Sequence, residues 1–293
     1  MEIESIIQKY LEDISQVRRY SPLTIKSYSE DLIEFLDFCK KYEKFHIEDI
    51  SDRIIRYYLV HLNDKDLERT SISRKLSSLR GLFKFSFQHN YSGTNPLLAV
   101  SNPKIKRKLP EVTTQESILK VYKEIEIDSE EPELYKAIFE ILYGCAIRVS
   151  ELCNLNLSDI DLDRESLRVL GKGNKMRVVP IGAKSSFVIN EYLLFIKDRK
   201  FSDPLFLAPN GKRVYPRFIY RIVNKYLQKV TDIKKTSPHI LRHSSATHML
   251  DNGADLRAVK EILGHENLST TQIYTHVSIE RLKSTYKKSH PKS

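Results

Sequence analysis

The stretch P-H-I-L-R-H-S-S-A-T-H-M-L at 238–250 and the stretch L-G-H-E-N-L-S-T-T-Q-I-Y at 263–274 carry the most structural information in this chain. Ser-Pro at 237–238 is typical of a helix start, with serine as the N-cap and proline in the first turn. Asn-Gly at 252–253 is typical of a helix end. The first stretch therefore predicts one helix, and a second helix is predicted at 255–264.

Two histidines, an arginine and a tyrosine stand in these stretches at spacings that can surround one phosphate. His239 and Arg242 lie at i and i+3, so they share a face of the predicted helix. His265 follows directly on the second helix, and Tyr274 lies just inside a third. Arginine can hold two oxygens of a phosphate, histidine can move a proton, and tyrosine carries a hydroxyl that can attack. Each residue alone is more typical of an ordinary helix, whereas their order indicates chemistry at a phosphate.

The chain of 293 residues is basic, with a formal net charge of +10. The positive charge is concentrated, because 71–110 contains no Asp or Glu. Such a surface suits a polyanion such as DNA, although an ordinary solvated helix face has the same composition. The candidate DNA-binding residues of this segment are Arg74, Lys75, Arg80, Lys84, Lys104, Lys106, Arg107 and Lys108.

The cysteines and the N-terminus indicate a cytoplasmic protein. Cys39, Cys145 and Cys153 cannot all pair with one another, and their apolar neighbours predict buried, reduced thiols. The first residues are acidic and amphipathic, unlike a signal peptide. No apolar run approaches the roughly 20 residues that span a bilayer.

Helical periodicity dominates the first hundred residues, and we interpret 1–100 as a helical DNA-binding domain. Ser-Pro at 21–22 is typical of a helix start. The segment 101–112 contains two prolines and a cluster of basic residues without any period, which predicts a basic linker. The predicted helices of the first domain cover 3–14, 22–39, 50–62 and 70–89.

The remainder, 113–293, is predicted to be a second, mainly helical domain with a small β-hairpin. Alternating residues predict strands at 166–170 and 176–181 around the loop G-K-G-N-K at 171–175. A break is predicted at 144–147, and a further short strand at 205–207. The predicted helices before residue 237 cover 114–122, 134–143, 148–152, 185–197 and 218–230.

Five blocks in this order resemble the tyrosine recombinases of the phage integrase type, and among them the bacterial Xer recombinases. The likeness extends over nearly the whole chain and implies a two-domain, C-shaped DNA clamp that is mainly α with a small sheet in its C-terminal domain. One departure is Ser245, where an aromatic residue is more often expected. The blocks are A-I-R-V-S-E-L at 146–152, G-K-G-N-K at 171–175, H-I-L-R-H-S-S-A-T-H-M-L at 239–250, L-G-H at 263–265 and S-T-T-Q-I-Y-T-H-V at 269–277.

The resemblance implies catalytic roles at matching positions. Arg148 and Arg242 would clamp the non-bridging oxygens of the scissile phosphate. Tyr274 would attack the phosphorus, form a 3′-phosphotyrosyl bond and release a 5′-hydroxyl. Lys172, on the hairpin loop, would protonate that leaving oxygen.

Two histidines complete the implied site. His239 would act as acid and base toward the tyrosine, and His265 would hydrogen-bond the phosphate. The resemblance implies no metal ion and no cofactor, because arginines supply the positive charge that metal ions supply in many nucleases.

The implied activity is site-specific DNA recombination, with chromosome dimer resolution as the closest analogy. Alternatives are a mobile-element integrase, a topoisomerase, and a DNA-binding protein that has lost its chemistry. The implied partners are double-stranded DNA, a homo- or hetero-tetramer with itself or a paralogous recombinase on two DNA sites, and a DNA translocase as activator. A terminal helix after Tyr274 would dock onto the neighbouring subunit.

Overall fold

The computed structural model describes residues 1–103, 111–171, 175–264 and 279–291, with side chains for all of these except 279–283. The chain divides into two compact units, Met1–Lys108 and Leu109–Ser293. Each unit has its own hydrophobic core. Helices dominate both units and one small sheet is present, so the predicted fold class is confirmed.

Helices make up most of the described part of the first unit. The Ser21 hydroxyl accepts a hydrogen bond from the Thr24 amide at 3.2 Å, so the predicted start of the second helix is confirmed. The core centres on aromatic rings, with Phe35 5.0 Å from Tyr58 and 6.3 Å from Phe83, both edge to face. The helices are α1 (Ile3–Glu12), α2 (Pro22–Lys41), α3 (Asp52–Asp64) and α4 (Arg69–Gln88).

The second unit surrounds a short antiparallel sheet with helices. Its strands are β1 (Ile160–Asp161), β2 (Ser166–Leu170) and β3 (Met176–Pro180), in the order β1-β2-β3. The predicted hairpin is confirmed as β2 and β3, and its pairing ends with Leu170 opposite Met176. The described helices are α5 (Gln115–Asp128), α6 (Pro132–Tyr143), α7 (Val149–Asn154), α8 (Ala183–Phe195), α9 (Pro216–Val230), α10 (Pro238–Asp251), α11 (Leu256–Leu263) and α12 (Ile279–Ser289).

Two predictions about the second unit fail for identifiable reasons. Helix α5 continues to Asp128, beyond the predicted end at 122, because Ile125 extends its buried face. The strand predicted at 205–207 is wrong. The Leu205 amide donates to the Leu155 carbonyl at 2.8 Å, and the Leu205 carbonyl accepts from the Tyr192 hydroxyl at 2.9 Å, so the Leu205 backbone is satisfied without a sheet. Leu207 forms an isolated bridge with Arg213, which does not extend into a strand.

The helices that lead into the site begin and end largely as predicted. Ser237 has extended backbone and Pro238 starts α10, but the Ser237 hydroxyl makes no capping hydrogen bond. The Asp255 carboxylate accepts from the Arg257 amide at 3.2 Å and caps α11. Gly264 ends α11 with a φ of 62°, a left-handed conformation that glycine adopts without strain.

The cysteines are buried and unpaired, as predicted. Burial raises the pKa of the Cys39 thiol to about 12, and burial raises that of Cys153 to about 11. Both thiols therefore stay protonated near neutral pH, and protonated thiols are poor nucleophiles. Among the helices described, none is both long enough and apolar enough to cross a lipid bilayer.

Candidate active site

The two predicted phosphate-binding arginines meet at the C-terminal end of α11. Arg242 projects from α10 and is 6% exposed. Its Nη1 donates to the Ala146 carbonyl at 2.8 Å, and its Nη2 donates to the Leu263 carbonyl. Arg148 is the N-cap residue of α7, and its Nη2 donates to the Gly264 carbonyl at 3.2 Å. The fold therefore brings together two side chains that are far apart in sequence.

A single buried carboxylate, that of Glu151, lies between three arginines. Its Oε1 accepts from Arg148 Nη1 at 2.7 Å, and its Oε2 accepts from the Arg148 amide at 2.8 Å. Arg177 binds both oxygens, with Nη1 2.8 Å from Oε1 and Nη2 2.9 Å from Oε2. Arg242 Nη1 lies 3.8 Å from Oε2. Glu151 thus fixes the guanidinium groups of three different elements.

The carboxyl of Glu151 stays ionised because of these arginines. Burial by itself raises its pKa, but the hydrogen bonds from Arg177 and Arg148 outweigh burial and hold the pKa below its usual value. A lowered carboxyl pKa contributes stability above the pKa of the unfolded chain, and this stability is lost as pH falls through the folded pKa. The Glu151 carboxylate therefore becomes protonated, and stops binding the arginines as an anion, only under acidic conditions.

The last carbonyls of α11 are satisfied by the same arginines. Helix C-termini leave carbonyls without intrahelical partners and carry partial negative charge, so cations are favourable there. Three consecutive carbonyls each accept from a different guanidinium. The pairs are Arg177 with Ile262, Arg242 with Leu263 and Arg148 with Gly264.

The cluster keeps an excess of positive charge, since three guanidinium groups face one carboxylate. Burial first, and then the charge of Arg148, lower the pKa of Arg242 to about 10. This value lies well above neutral pH, so Arg242 remains charged. A partly desolvated cluster with net positive charge is suited to an anion such as a phosphodiester.

His239 lies one turn before Arg242 on α10 and is exposed. Desolvation of the ring lowers its pKa, and the positive charges of His243, Arg242 and Arg148 lower it further. The imidazole is consequently neutral at neutral pH, and a neutral imidazole can accept a proton. Its place one turn before Arg242 puts it on the face of α10 that carries that arginine.

The turn between α6 and α7 contains a strained residue. Ala146 is fully buried and has a φ of 51°, in the left-handed region that favours glycine. Its carbonyl holds Arg242, and Arg148 follows two residues later. Strained backbone of this kind is often found at functional sites.

Replacing Ala146 with glycine is expected to stabilise the protein by about 1 kcal/mol, because the left-handed conformation costs a Cβ-bearing residue more than glycine loses in chain entropy. Chemical denaturation measures this change. The matched control is Ala137→Gly in the middle of α6, which is also fully buried and is expected to be destabilising. A lower midpoint for Ala146→Gly than for the parent protein would contradict the assignment of strain.

The remaining predicted catalytic residues, Lys172, His265 and Tyr274, lie outside the described residues, and their roles stay predictions. The described base of the hairpin loop does reach the arginine cluster. A Cβ atom at Gly171 would lie 3.3 Å from Nη1 of Arg177 and 3.8 Å from Oε1 of Glu151. The loop predicted to carry Lys172 therefore starts beside Glu151.

The predicted DNA-binding residues have different surroundings. Lys75 is buried and forms ion pairs with Asp31 at 3.1 Å and Glu34 at 2.5 Å, and Arg74 also pairs with Asp31. This placement favours a structural role for Lys75, whose DNA contact stays a prediction. Lys84 is exposed. Arg80 donates to the Val100 carbonyl and to the Asn102 side chain. The other four residues, Lys104, Lys106, Arg107 and Lys108, lie outside the described residues.

The C-terminal segment packs onto its own unit. The Tyr286 hydroxyl donates to the Gly144 carbonyl at 2.7 Å, and the Tyr286 ring stacks on His290. Nε2 of His290 lies 3.0 Å from the hydroxyl of Ser245. Ser245 is the position where an aromatic residue is more often expected, and here its small side chain leaves the imidazole room to bind.

Sequence reasoning missed Glu151 and Arg177 as site residues. Both lie in stretches that it did use, Glu151 in the block at 146–152 and Arg177 in the second hairpin strand. A charged residue on the inner side of a hairpin strand is a possible signal, but such residues are usually solvated. Only the three-dimensional arrangement shows that they bind each other.

Two family models match this chain. The model described as "Phage integrase family" matches residues 111–281, and the model described as "Phage integrase, N-terminal SAM-like domain" matches residues 7–90. The residues that the first model matches include Arg148, Arg177 and Arg242.

The chain is also similar to individual proteins. It is 40% identical to the tyrosine recombinase XerC of Thermodesulfovibrio yellowstonii over 98% of this chain and 96% of that protein. Its fold is similar to that of a XerH site-specific recombinase bound to difH substrate, with 24% identity, a TM-score of 0.69 and coverage of 95% of this chain and 83% of that one. A lambda integrase tetramer bound to a Holliday junction gives 17% identity, a TM-score of 0.73 and coverage of 93% and 80%. The family resemblance seen in the sequence blocks is thus confirmed, and the chain belongs to the phage integrase family of tyrosine recombinases.

Proposed function

We propose that this protein cuts and rejoins DNA strands at a specific site through a 3′-phosphotyrosyl intermediate, in chromosome dimer resolution. The observation that carries this proposal is the convergence of Arg148 and Arg242 on one positively charged cluster beside a neutral His239. Similarity to a XerC protein over nearly the full length of both chains supports the biological role.

The arginines would act on the phosphate. Guanidinium donors held by buried partners bind the non-bridging oxygens and stabilise the negative charge that builds up in the transition state. Because Arg242 is buried and held by two carbonyls, little reorganisation would accompany the reaction.

The proposed strand-transfer step uses the catalytic roles that the family resemblance implies. The Tyr274 oxygen forms a bond to phosphorus while the bond from phosphorus to the 5′-oxygen breaks. His239 accepts the tyrosine proton, Lys172 donates a proton to the departing 5′-oxygen, and His265 hydrogen-bonds the phosphate. One phosphate ester replaces another, so a 5′-hydroxyl from a second duplex can reverse the step without ATP. Such exchange is recombination.

Duplex DNA is the proposed substrate, bound by a tetramer on two sites in the cytoplasm. Structural neighbours bound to DNA, one of them a tetramer on a Holliday junction, support this assembly. The subunits are copies of this chain or of a paralogue, and a DNA translocase would activate them. In that tetramer, α12 would leave its own unit and dock onto the neighbouring subunit.

Lys84 provides a test of the basic surface of the first unit. Replacing Lys84 with glutamine is expected to weaken duplex binding about equally for all sequences and to reduce the slope of log K against log salt by about 1, because one phosphate contact is lost. Fluorescence anisotropy at several salt concentrations measures the slope. The control is Lys41→Gln, which removes an exposed charge outside 71–110. Equal slopes for both variants and the parent protein would remove Lys84 from the interface.

The decisive experiment is selection of bound duplexes from genomic DNA, followed by mapping of the covalent cleavage position. A single cleaved site near the replication terminus supports dimer resolution. Cleaved sites at mobile-element ends indicate an integrase instead. Binding without any covalent adduct indicates a DNA-binding protein that has lost its chemistry, and it overturns the proposal.

A further inference from the structure

Arg177 connects three segments of the second unit at one point. It projects from β3, binds both oxygens of Glu151 on α7, and donates through Nε to the Ile262 carbonyl of α11 at 3.2 Å. Its side chain is 16% exposed. The five N–H donors of the guanidinium lie in one plane. The Glu151 carboxylate lies at one edge of this plane, and the Ile262 carbonyl lies at another.

Each of these segments leads to a predicted catalytic residue. Glu151 holds Arg148, the hairpin loop after β2 carries Lys172, and the end of α11 leads to His265. The backbone of two segments packs tightly against the guanidinium group. A Cβ atom at Gly264 would lie 3.0 Å from Nε of Arg177, and one at Gly171 would lie 3.3 Å from Nη1. Arg177 therefore sits where the hairpin loop begins and where α11 ends.

We propose that Arg177 is a positioning residue for strand cleavage. By binding them from β3, it holds Glu151 and the C-terminal end of α11 in fixed positions relative to the hairpin. This inference rests on the proposed function. All three nitrogens of the Arg177 guanidinium donate to Glu151 or to the Ile262 carbonyl, so we assign Arg177 to holding these groups and not to the phosphate. It acts through Arg148 and Arg242, whose guanidinium groups share the same carboxylate and the same helix end.

The charge of Arg177 has an effect on Glu151 that a merely space-filling side chain would not have. Within the described ranges, the ion-pair partners of Glu151 are Arg148, Arg177 and Arg242. Burial favours the protonated carboxyl, and Arg177 is the strongest opposing partner. Loss of Arg177 should therefore raise the pKa of Glu151, so that the carboxylate releases Arg148 at a higher pH than in the parent protein.

The test compares Arg177→Met and Arg177→Lys with the parent protein on a nicked duplex that carries the selected site. We expect single-turnover cleavage by Arg177→Met to fall by about 10²-fold at neutral pH, because a small displacement of the phosphate-binding groups has an effect of this size. Duplex affinity should stay unchanged. The acid limb of the rate profile, to which protonation of His239 also contributes, should move to higher pH as the pKa of Glu151 rises. Arg177→Lys keeps the charge without the two-pronged contact and should be intermediate in rate.

The control is Arg168→Met, which removes an exposed arginine from the same hairpin, whose side chain donates to the Ser158 carbonyl and not to the Glu151 cluster in the described part of the chain. It should cleave like the parent protein. Circular dichroism and thermal melting establish that each variant is folded. If Arg177→Met does not fold, the comparison is made with Arg177→Lys. Parent-like rates and a parent-like pH profile in a folded Arg177 variant overturn the proposal, and so does an equal loss in Arg168→Met.

A readout without DNA distinguishes failure of this inference from failure of the proposed function. The carboxyl ¹³C shift of Glu151, assigned with Glu151→Gln, should titrate at higher pH in Arg177→Lys or Arg177→Met than in the parent protein. An unchanged titration contradicts the role of Arg177 whatever the enzyme does. If the parent protein forms no adduct while the titration shifts, the proposed function fails, and with it the assignment to cleavage.

Discussion

Tyr274→Phe is expected to abolish the covalent adduct with a nicked suicide duplex and to leave duplex binding unchanged. The substitution removes only the hydroxyl oxygen that would bond to phosphorus, whereas affinity comes mainly from contacts with the phosphate backbone. The adduct is detected as a slower band on a denaturing gel, and binding is followed by a mobility shift under native conditions.

The control for this experiment is Tyr215→Phe, which removes the hydroxyl of a partly exposed tyrosine in the same unit. It should form the adduct as the parent protein does. An adduct that persists in Tyr274→Phe would assign the nucleophile to another residue. Loss of duplex binding in Tyr274→Phe would mean that the tyrosine supports the fold instead.

Arg242→Lys is expected to lower the single-turnover cleavage rate by about 10²–10³-fold, the usual cost of losing one donor to a developing anion. Lysine keeps the positive charge but carries one compact ammonium group. It cannot bind the Ala146 and Leu263 carbonyls in the planar geometry of arginine while also facing a phosphate oxygen. Part of the loss should appear as lower stability, because a buried carbonyl left without a donor costs about 1–3 kcal/mol.

Rate and stability must be separated in this variant. Denaturant unfolding gives the stability, and cleavage is measured at a temperature where the variant is fully folded. The control is Arg221→Lys on α9, an exposed arginine whose replacement should change neither quantity. A cleavage rate within a factor of two or three of the parent rate would exclude Arg242 from the phosphate clamp, since such a factor is less than 1 kcal/mol.

Local signals were sufficient for most of the helices and for the hairpin. The start of α2 at Ser21-Pro22 and the end of α11 at Gly264 follow from side chains that satisfy or permit the terminal backbone. Strand β1 was missed because two residues carry no period, and it exists only through pairing with β2. The apolar run at 205–207 was misread because its backbone partners, Leu155 and Tyr192, lie far away in sequence.

In the candidate site too, some features follow from the local sequence and others only from the tertiary structure. The shared helix face of His239 and Arg242 could be read directly from the residues, because helix spacing is a local property, whereas Arg148 was identified through the family resemblance. That Arg148 and Arg242 share Glu151, and that Arg177 joins them, required the tertiary structure. Charged side chains are usually solvated, and burial beside a specific opposite charge is decided only when distant elements pack together. The strain at Ala146 and the binding of His290 by Ser245 are likewise consequences of packing, since the local sequence indicates neither a left-handed conformation at an alanine nor a contact between α10 and the residue after α12.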